Sequence, residues 1–177
     1  MPYLLVFLGN PGPQYRQTRH NCGWMVCDRL VETVPELDNW QSKFHGLFLK
    51  RQDAVLLKPQ TFMNESGISV QEASRFFGAE ADDVVVVHDD IELPFAKVKF
   101  QKGGGMGGHN GLRSVKQHLG TDGFWRLRIG VGRPPANIQV ADFVTGRFSP
   151  LEESQMESVL DEAVGQVKRI MGLRSRE

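Results

Sequence analysis

The fold is decided by residues 3–8, which read YLLVFL and lead directly into the loop sequence GNPGP at residues 9–13. A strand made only of apolar residues is typical of a parallel sheet that is covered on both faces, and glycine and proline end such a strand. A second run of this kind is VVVV at residues 84–87, which ends at His88-Asp89-Asp90. These two segments predict buried strands at the centre of a sheet.

Helical and strand-like segments alternate along the rest of the chain. Apolar residues at helical spacing predict helices, and alternating apolar residues predict strands. The predicted helices cover residues 20–34, 66–77 and 110–119, and the predicted strands cover residues 46–50, 54–58, 97–101 and 125–131. A capping box at Ser149 and Glu152, with Pro150 at the first helical position, predicts a final helix that runs to about Met171. The interleaving predicts one α/β domain over residues 1–177, with a twisted mixed (mostly parallel) sheet flanked by helices and a C-terminal amphipathic helix.

Composition excludes several classes of protein. The chain of 177 residues is 40% hydrophobic and 24% charged, so it can fill the core of one domain. Its longest apolar runs have about six residues, far fewer than the ~20 that cross a bilayer, and we expect no signal peptide. Cys22 and Cys27 lie five residues apart on one predicted helix, a spacing that suits neither zinc nor a disulfide framework. No long apolar helix face is left over, so we expect a monomer in the reducing cytoplasm, with no membrane partner.

The charges balance overall but are unevenly distributed. The chain has 21 basic and 21 acidic residues, yet residues 97–133 contain eight basic residues and one acid, Asp122. Residues 71–92 contain seven acids and one basic residue, Arg75. A basic segment of this kind predicts a surface for a polyanion. The alternative is that the strand and helix surfaces of this segment are basic without a partner.

Polar side chains gather where the predicted strands end. In an open α/β sheet, ligands bind at the carboxyl ends of the strands. Asn10 follows the first strand, Phe62-Met63-Asn64 lies past the third, and Asp89 follows the fourth. His20 and Asn110, each at the start of a helix, are expected at the same edge. This set contains one imidazole, one carboxylate and three carboxamides.

Each member of this set also has a purely structural explanation. Asn10 lies in a turn, Asn64 and Asn110 suit helix N-caps, and Asp89 suits a solvated loop. The residues therefore indicate a site only when they are taken together.

These residue types favour hydrolysis with a histidine as general base. No G-x-S-x-G sequence is present and neither cysteine lies in an activating motif, which disfavours a nucleophile supplied by the protein. His88, Asp89 and Asp90 are adjacent rather than at metal-ligand spacing, so we expect no metal. A histidine that takes a proton from water needs a carboxylate to orient its ring. His20 and His109 stay as candidates for the base, because His88 suits a core position and because His45 and His118 lie on a polar loop and a helix surface with nothing chemical beside them.

Residues 103–108 read GGGMGG and contain the pattern G-x-G-x-x-G. This pattern alone would suggest a nucleotide-dependent oxidoreductase. The strand before it alternates instead of being wholly apolar, however, and the nearest acid, Asp122, does not end the next strand. We therefore expect no cofactor and interpret the segment as a flexible loop that leads into a helix N-terminus.

Five blocks of sequence form a longer pattern that covers nearly the whole chain. They are LGNPG, Tyr15 and TRHN within residues 8–21, KPQTFMNESG at 58–67, HDD and LP within 88–94, GGHNGL at 107–112, and RLRIGVGRP at 126–134. In this order they resemble the bacterial peptidyl-tRNA hydrolase family. The resemblance implies an α/β enzyme that cleaves the ester between a peptide and the 3′ end of tRNA. It also implies tRNA as the partner, and neither a cofactor nor a metal.

The same resemblance implies roles for the candidate residues. His20 resembles the general base of the family, and Asp89 resembles the carboxylate that stabilises it. The residues that resemble the amides holding the peptide main chain and the attacking water are Asn10, Asn64 and Asn110. The residues that resemble its substrate contacts are Tyr15, Phe62 and Met63.

A tRNA phosphate contact is implied at the basic segment. Arg128 resembles one half of a clamp for the phosphate at the 5′ end of the tRNA. The family usually has a basic residue as the other half, at the position where this chain has Gln101, and we expect Lys102 or Lys99 to replace it. A non-catalytic RNA-binding module is the alternative function. Such a module would explain the basic segment but has no need of His20, Asp89 and three asparagines.

Overall fold

One sheet of seven strands forms the centre of the computed structural model, which describes residues 2–175 and the side chains of residues 2–172. The strands are β1 (Tyr3–Phe7), β2 (Gln41–Lys43), β3 (Gly46–Lys50), β4 (Ala54–Pro59), β5 (Val84–Asp90), β6 (Val98–Lys102) and β7 (Trp125–Gly130). Their order across the sheet is β2-β3-β4-β1-β5-β7-β6. The predicted mixed, mostly parallel sheet is confirmed, because β4, β1, β5 and β7 run parallel at the centre. Antiparallel pairs form only towards the two edges of the described sheet.

Helices cover both faces of the sheet, as the apolar strands predict. They are α1 (Cys22–Thr33), α2 (Ser66–Phe77), α3 (Asn110–Leu119), α4 (Val140–Val144), α5 (Pro150–Glu153) and α6 (Met156–Ser175). Leu5 and Phe7 of β1 pack with α1 and α6 on one face, and Leu4 and Val6 pack with α2 and α3 on the other. All four of these side chains are fully buried. No helix in the described part of the chain is long and apolar enough to cross a membrane.

The start of α1 lies directly against the ends of two central strands. A Cβ atom at Gly23 would lie 2.5 Å from the carbonyl oxygens of Leu8 and Val87, so only glycine permits this approach. The next residue, Trp24, donates its N–H to the Leu8 carbonyl at 3.1 Å. This contact places the turn before α1, residues 19–21, at the carboxyl ends of β1 and β5.

The fifth strand is longer than predicted, and this changes the setting of Asp89. It continues to Asp90 instead of ending at Val87, because β7 extends the pairing through Asp89 opposite Ile129 and Asp90 opposite Gly130. Asp89 is only 1% exposed. The interpretation of Asp89 as a residue after the strand, in a solvated loop, is therefore wrong.

The C-terminal helix is interrupted once. The predicted capping box is present, since Ser149 Oγ accepts from the Glu152 N–H and Glu152 Oε1 accepts from the Ser149 N–H. After Glu153 the backbone tightens, because Gln155 N donates to the Glu152 carbonyl, three residues back. The amphipathic helix then continues as α6, with its apolar side in the core.

Candidate active site

A cavity of about 180 Å³ opens at the carboxyl end of β5. Its polar side is formed by His20, Asp89 and His109, and residues of α4 form part of its apolar side. This is the edge of the sheet where the sequence predicts a site. The cavity therefore brings together residues from the N-terminal turn, a central strand, the start of α3 and the last third of the chain.

Asp89 is hydrogen-bonded to two imidazoles. Its Oδ2 lies 2.8 Å from Nδ1 of His20, and its Oδ1 lies 2.8 Å from Nε2 of His109. The side chain of Asp89 is 1% exposed, and those of the two histidines are 9% and 7% exposed. The buried carboxylate thus has a ring N–H donor for each of its oxygens.

His20 lies in a tight turn rather than in an α-helix. The predicted helix over residues 20–34 begins as a 3₁₀ turn, Arg19–Asn21, and becomes α-helical at Cys22. Thr18 precedes the turn, but its hydroxyl donates to the Tyr15 carbonyl at 2.8 Å instead of capping the helix. The turn sets the His20 ring beside Asp89.

His109 is a member of the site that the sequence indicated only as a second choice. It is the N-cap of α3, and its Nδ1 accepts from the N–H groups of Gly111 at 3.0 Å and Leu112 at 3.3 Å. A nitrogen that accepts carries no hydrogen, so the ring hydrogen lies on Nε2 and is donated to Asp89. This arrangement makes His109 a fixed donor, and it leaves His20 as the histidine whose second nitrogen is available to accept a proton.

Burial and charge together set the protonation of His20 and Asp89. Burial opposes protonation of the His20 ring, but the charge of Asp89 and the hydrogen bond to it outweigh burial and raise the pKa of His20 above 6.5. Burial also opposes ionisation of Asp89, yet the two imidazoles hold the pKa of Asp89 well below its usual range. Asp89 is therefore an anion at neutral pH, positioned to stabilise a positive charge on His20.

His88 is a core residue, as the sequence suggests. Its Nδ1 lies 2.7 Å from the Asp89 carbonyl, and the residue is 1% exposed. Burial, reinforced by the neighbouring His109, lowers the pKa of His88 to about 4. His88 is thus neutral at physiological pH and holds the backbone at Asp89.

The same three side chains form a group that could hold a metal ion. One ligand atom from each of His20, Asp89 and His109 lies within 4.8 Å of the others. Zinc bonds of about 2.0–2.2 Å would put neighbouring tetrahedral ligands about 3.4 Å apart. Both nitrogen–oxygen distances are 2.8 Å, which is a hydrogen-bond length. The geometry therefore fits protons shared with Asp89 better than an ion between the ligands.

Asn10 connects the end of β1 to the segment around Met63. Its Oδ1 accepts from the Met63 N–H at 2.7 Å, and its own N–H donates to Asn21 Oδ1 at 2.9 Å. Asn21 Nδ2 donates back to the Asn10 carbonyl at 3.0 Å. Asn21 is 1% exposed and was not indicated by the sequence, because its role depends on a partner eleven residues away.

The remaining predicted substrate contacts lie on the surface around this group. Asn110 is exposed and lines the cavity, whereas Asn64 is exposed in the 3₁₀ turn Met63–Glu65. Neither amide makes a side-chain hydrogen bond to another described residue. Tyr15 and Phe62 pack edge to face, with ring centres 6.5 Å apart, and Phe62 is 55% exposed.

The basic segment is partly neutralised in space by the acidic segment that precedes it. Arg128 Nε lies 2.7 Å from Asp90, Arg133 pairs with Glu92 at 2.5 Å, and Lys102 pairs with Asp82. Arg126 is buried and donates to the carbonyls of the glycine loop, where it has a structural role. The charges are therefore less segregated on the surface than along the sequence.

Lys102 does not lie beside Arg128. In the β6–β7 pair Lys99 is directly opposite Arg128, whereas Lys102 is opposite Trp125 and its ammonium lies 5.9 Å from the centre of that ring. Residues directly opposite each other project from the same face, and an odd number of positions along the strand separates Lys102 from Lys99. The structure therefore favours Lys99 over Lys102 as the basic residue next to Arg128. Gln101 still contacts Arg128, through Oε1 at 2.9 Å.

The chain is similar in sequence and structure to peptidyl-tRNA hydrolases. The family model described as Peptidyl-tRNA hydrolase matches residues 4–176. The peptidyl-tRNA hydrolase of Sulfurovum sp. (strain NBC37-1) is 45% identical over 168 residues, which cover 95% of this chain and 88% of that protein. That of Geobacter metallireducens is 48% identical over 165 residues, or 91% and 84% of the two chains. The crystal structure of peptidyl-tRNA hydrolase from Acinetobacter baumannii is 34% identical with a TM-score of 0.83, covering 97% of this chain and 93% of that chain.

Proposed function

Because this chain belongs to the peptidyl-tRNA hydrolase family, and is thus an ester hydrolase that frees a peptide from the 3′ end of tRNA, we propose that His20 is its general base and Asp89 the carboxylate that orients that base. The observation that carries the proposal is the position of Asp89 between two imidazoles, of which only His20 has a nitrogen left to accept a proton. Nothing supports the alternative of a non-catalytic RNA-binding module.

The reaction needs one proton to move twice. Nδ1 of His20 donates to Asp89, so Nε2 takes a proton from a water molecule as the water oxygen attacks the ester carbonyl. The imidazolium that forms is stabilised by the Asp89 charge. It then returns the proton to the 3′ oxygen of the tRNA as the carbon–oxygen bond breaks, which restores the 3′ hydroxyl of the tRNA. The freed peptide keeps the second proton of the water as a carboxylic acid and releases that proton to solvent to become a carboxylate.

The carboxamides suit a site that accepts peptides of any sequence. An amide group offers both a donor and an acceptor, which matches the N–H and C=O of a peptide main chain. We assign this role to the exposed amides of Asn64 and Asn110, with Tyr15 and Phe62 as apolar contacts. Met63, which the sequence also indicates, is only 4% exposed and packs in the core, so it supports the site instead of touching the peptide. Asn10 uses its oxygen to hold Met63, so its Nδ2 is the group assigned to the attacking water.

We assign the tRNA phosphate contact to Arg128 and Lys99, which are neighbours across the β6–β7 pair. Arg128 is held in place by Asp90 and Gln101, so its orientation is set before the RNA arrives. Lys102 is assigned no phosphate contact, because it lies opposite Trp125 and pairs with Asp82. The proposed enzyme acts as one domain over residues 1–177 and as a monomer in the cytoplasm. The molar mass of the purified protein, measured by light scattering, tests whether it is a monomer.

The experiment that tests the proposal is release of the N-acetyl-amino acid from N-acetyl-aminoacyl-tRNA, compared with release of the amino acid from the unblocked aminoacyl-tRNA. We expect His20→Ala to reduce release to a small residual rate and to leave the affinity for tRNA within a few-fold of the original, because the base acts on water and not on the RNA. His45→Ala is the matched control, since His45 is exposed and pairs with Glu72 on the surface. Release by His20→Ala at the rate of the control would place the base elsewhere.

A further inference from the structure

Arg19, the residue before His20, has a buried side chain with several partners. Its Nη2 lies 2.9 Å from Glu152 Oε1, and its Nη1 donates to the Phe143 carbonyl at 3.1 Å. Its guanidinium carbon lies 3.9 Å from the centre of the Phe143 ring. The side chains of Arg19 and Glu152 are 10% and 21% exposed. Because arginine is rarely buried without a partner, these contacts determine where this side chain lies.

The partners of Arg19 all belong to the last third of the chain. Phe143 lies in α4, other residues of which line the cavity beside His20. The backbone N–H of Arg19 donates to the Gly146 carbonyl at 3.0 Å. Glu152 lies in the first turn of α5, where the oxygen that accepts from Arg19 also accepts from the Ser149 N–H at 2.9 Å. The capping box therefore fixes the carboxylate that pairs with Arg19.

We propose that Arg19 and Glu152 are positioning residues for His20, an inference that rests on the proposed role of His20 as the base. Their ion pair holds the Arg19–Asn21 turn against α5 and so keeps the His20 ring at hydrogen-bond distance from Asp89. Neither side chain lines the cavity. Both therefore act on the reaction through the position of His20.

Loss of one member of the pair is expected to move the turn. When one partner of a buried ion pair is removed, the other is left as an uncompensated charge away from water. The Arg19 guanidinium would then shift towards solvent and carry the adjacent His20 with it. A displacement of a reacting group by about 1 Å costs roughly 10² in rate, so even a small shift is measurable.

The test compares kcat and KM of Glu152→Gln and Arg19→Lys with those of the original enzyme on N-acetyl-aminoacyl-tRNA. We expect kcat to fall roughly 10- to 100-fold in each variant, with KM within a few-fold because the tRNA contacts are unchanged. Arg29→Met is the matched control. It removes an ion pair at 2.9 Å between Arg29 of α1 and Asp161 of α6, which joins the same two parts of the chain on the exposed surface. An unchanged kcat in either test variant would overturn the inference.

A double variant separates this inference from the proposed function. When Glu152→Gln is added to His20→Ala, the residual rate of His20→Ala is expected to stay the same. Glu152 acts on the reaction through the His20 ring, and this variant no longer has that ring. If the double variant is slower than His20→Ala by the same factor as the single Glu152→Gln variant is slower than the original enzyme, the inference is overturned and the role of His20 is not affected. If His20→Ala itself is as active as the original enzyme, both the proposed function and the inference are overturned. The thermal unfolding of each variant is measured alongside its activity. If both single variants are unfolded at the assay temperature, the ion pair supports the whole fold, and the inference is wrong.

Discussion

At the scale of single residues, the charge of Asp89 controls both the rate and its dependence on pH. The base acts only when His20 is neutral, so kcat/KM is expected to rise with pH through the pKa of His20, which lies above 6.5. Asp89→Asn removes the charge that raises this pKa and leaves burial, which lowers it. We expect the midpoint of the profile to move to lower pH and the plateau to fall by roughly 10² or more. Rates measured between about pH 5 and 9 check both effects, and a midpoint that stays in place would contradict the role of Asp89.

The roles of some residues depend on partners that the local sequence does not contain. His20, Asn10 and Asp89 were predictable as one group, because the ends of parallel strands and the starts of their helices meet at one edge. His109 was not chosen, because Asn110 beside it has the better intrinsic preference for a helix N-cap. In the structure His109 takes the N-cap position instead, because there it can cap α3 through one ring nitrogen and donate to Asp89 through the other. Asn21 was missed because its partner, Asn10, lies eleven residues away along the chain.

At the scale of elements, the β6–β7 pair predicts how the enzyme responds to salt. If Arg128 and Lys99 each contact an RNA phosphate, then replacing either with alanine is expected to raise KM and to reduce the slope of log affinity against log salt by about one unit. Lys102→Ala is the matched control on the same strand and is expected to change neither quantity. Binding to unacylated tRNA at several salt concentrations gives the slope.

One result would contradict the assignment of Lys99, instead of Lys102, as a phosphate contact. A large effect of Lys102→Ala together with none of Lys99→Ala would mean that the RNA lies along the face of Trp125 instead. Cleavage of a minimal N-acetyl-aminoacyl nucleotide, which lacks the distant phosphate, should be almost unchanged in all three variants.

Elements with strong local signals were predicted well, and elements defined by their neighbours were not. Helices α2 and α3 have the predicted bounds, because their apolar spacing and the glycine after each are local features. The end of β5 was misplaced, because its last residues are strand only through their pairing with β7. Strand β2 and helix α4 are short and lack an apolar repeat, so nothing in the sequence marks them.

At the scale of the whole molecule, one close contact fixes the relation between the first helix and the sheet. Gly23→Ala is expected to destabilise the fold by about 1–3 kcal/mol, because the added carbon would meet backbone atoms of Leu8, just after β1, and of Val87 in the adjacent β5. Gly165→Ala is the control, since no atom lies within 4 Å of a Cβ at that position of α6. It is expected to be neutral or to stabilise its helix by up to about 1 kcal/mol. Thermal unfolding measures both. Equal melting temperatures of Gly23→Ala and the original protein would show that α1 can move away from the sheet without loss of stability.

The cavity beside His20 is built from both ends of the chain, and this has a consequence for how the enzyme is made. During its own synthesis the protein is a peptide attached to tRNA, which is the kind of ester that it cleaves. A nascent chain that ends before Asp89 has the base without its carboxylate, and one that ends before Val144 lacks part of the cavity wall. The His20–Asp89 pair and the cavity wall are complete only after Val144 has been added, so a copy of the enzyme that ends before this residue does not contain the full machinery to release itself.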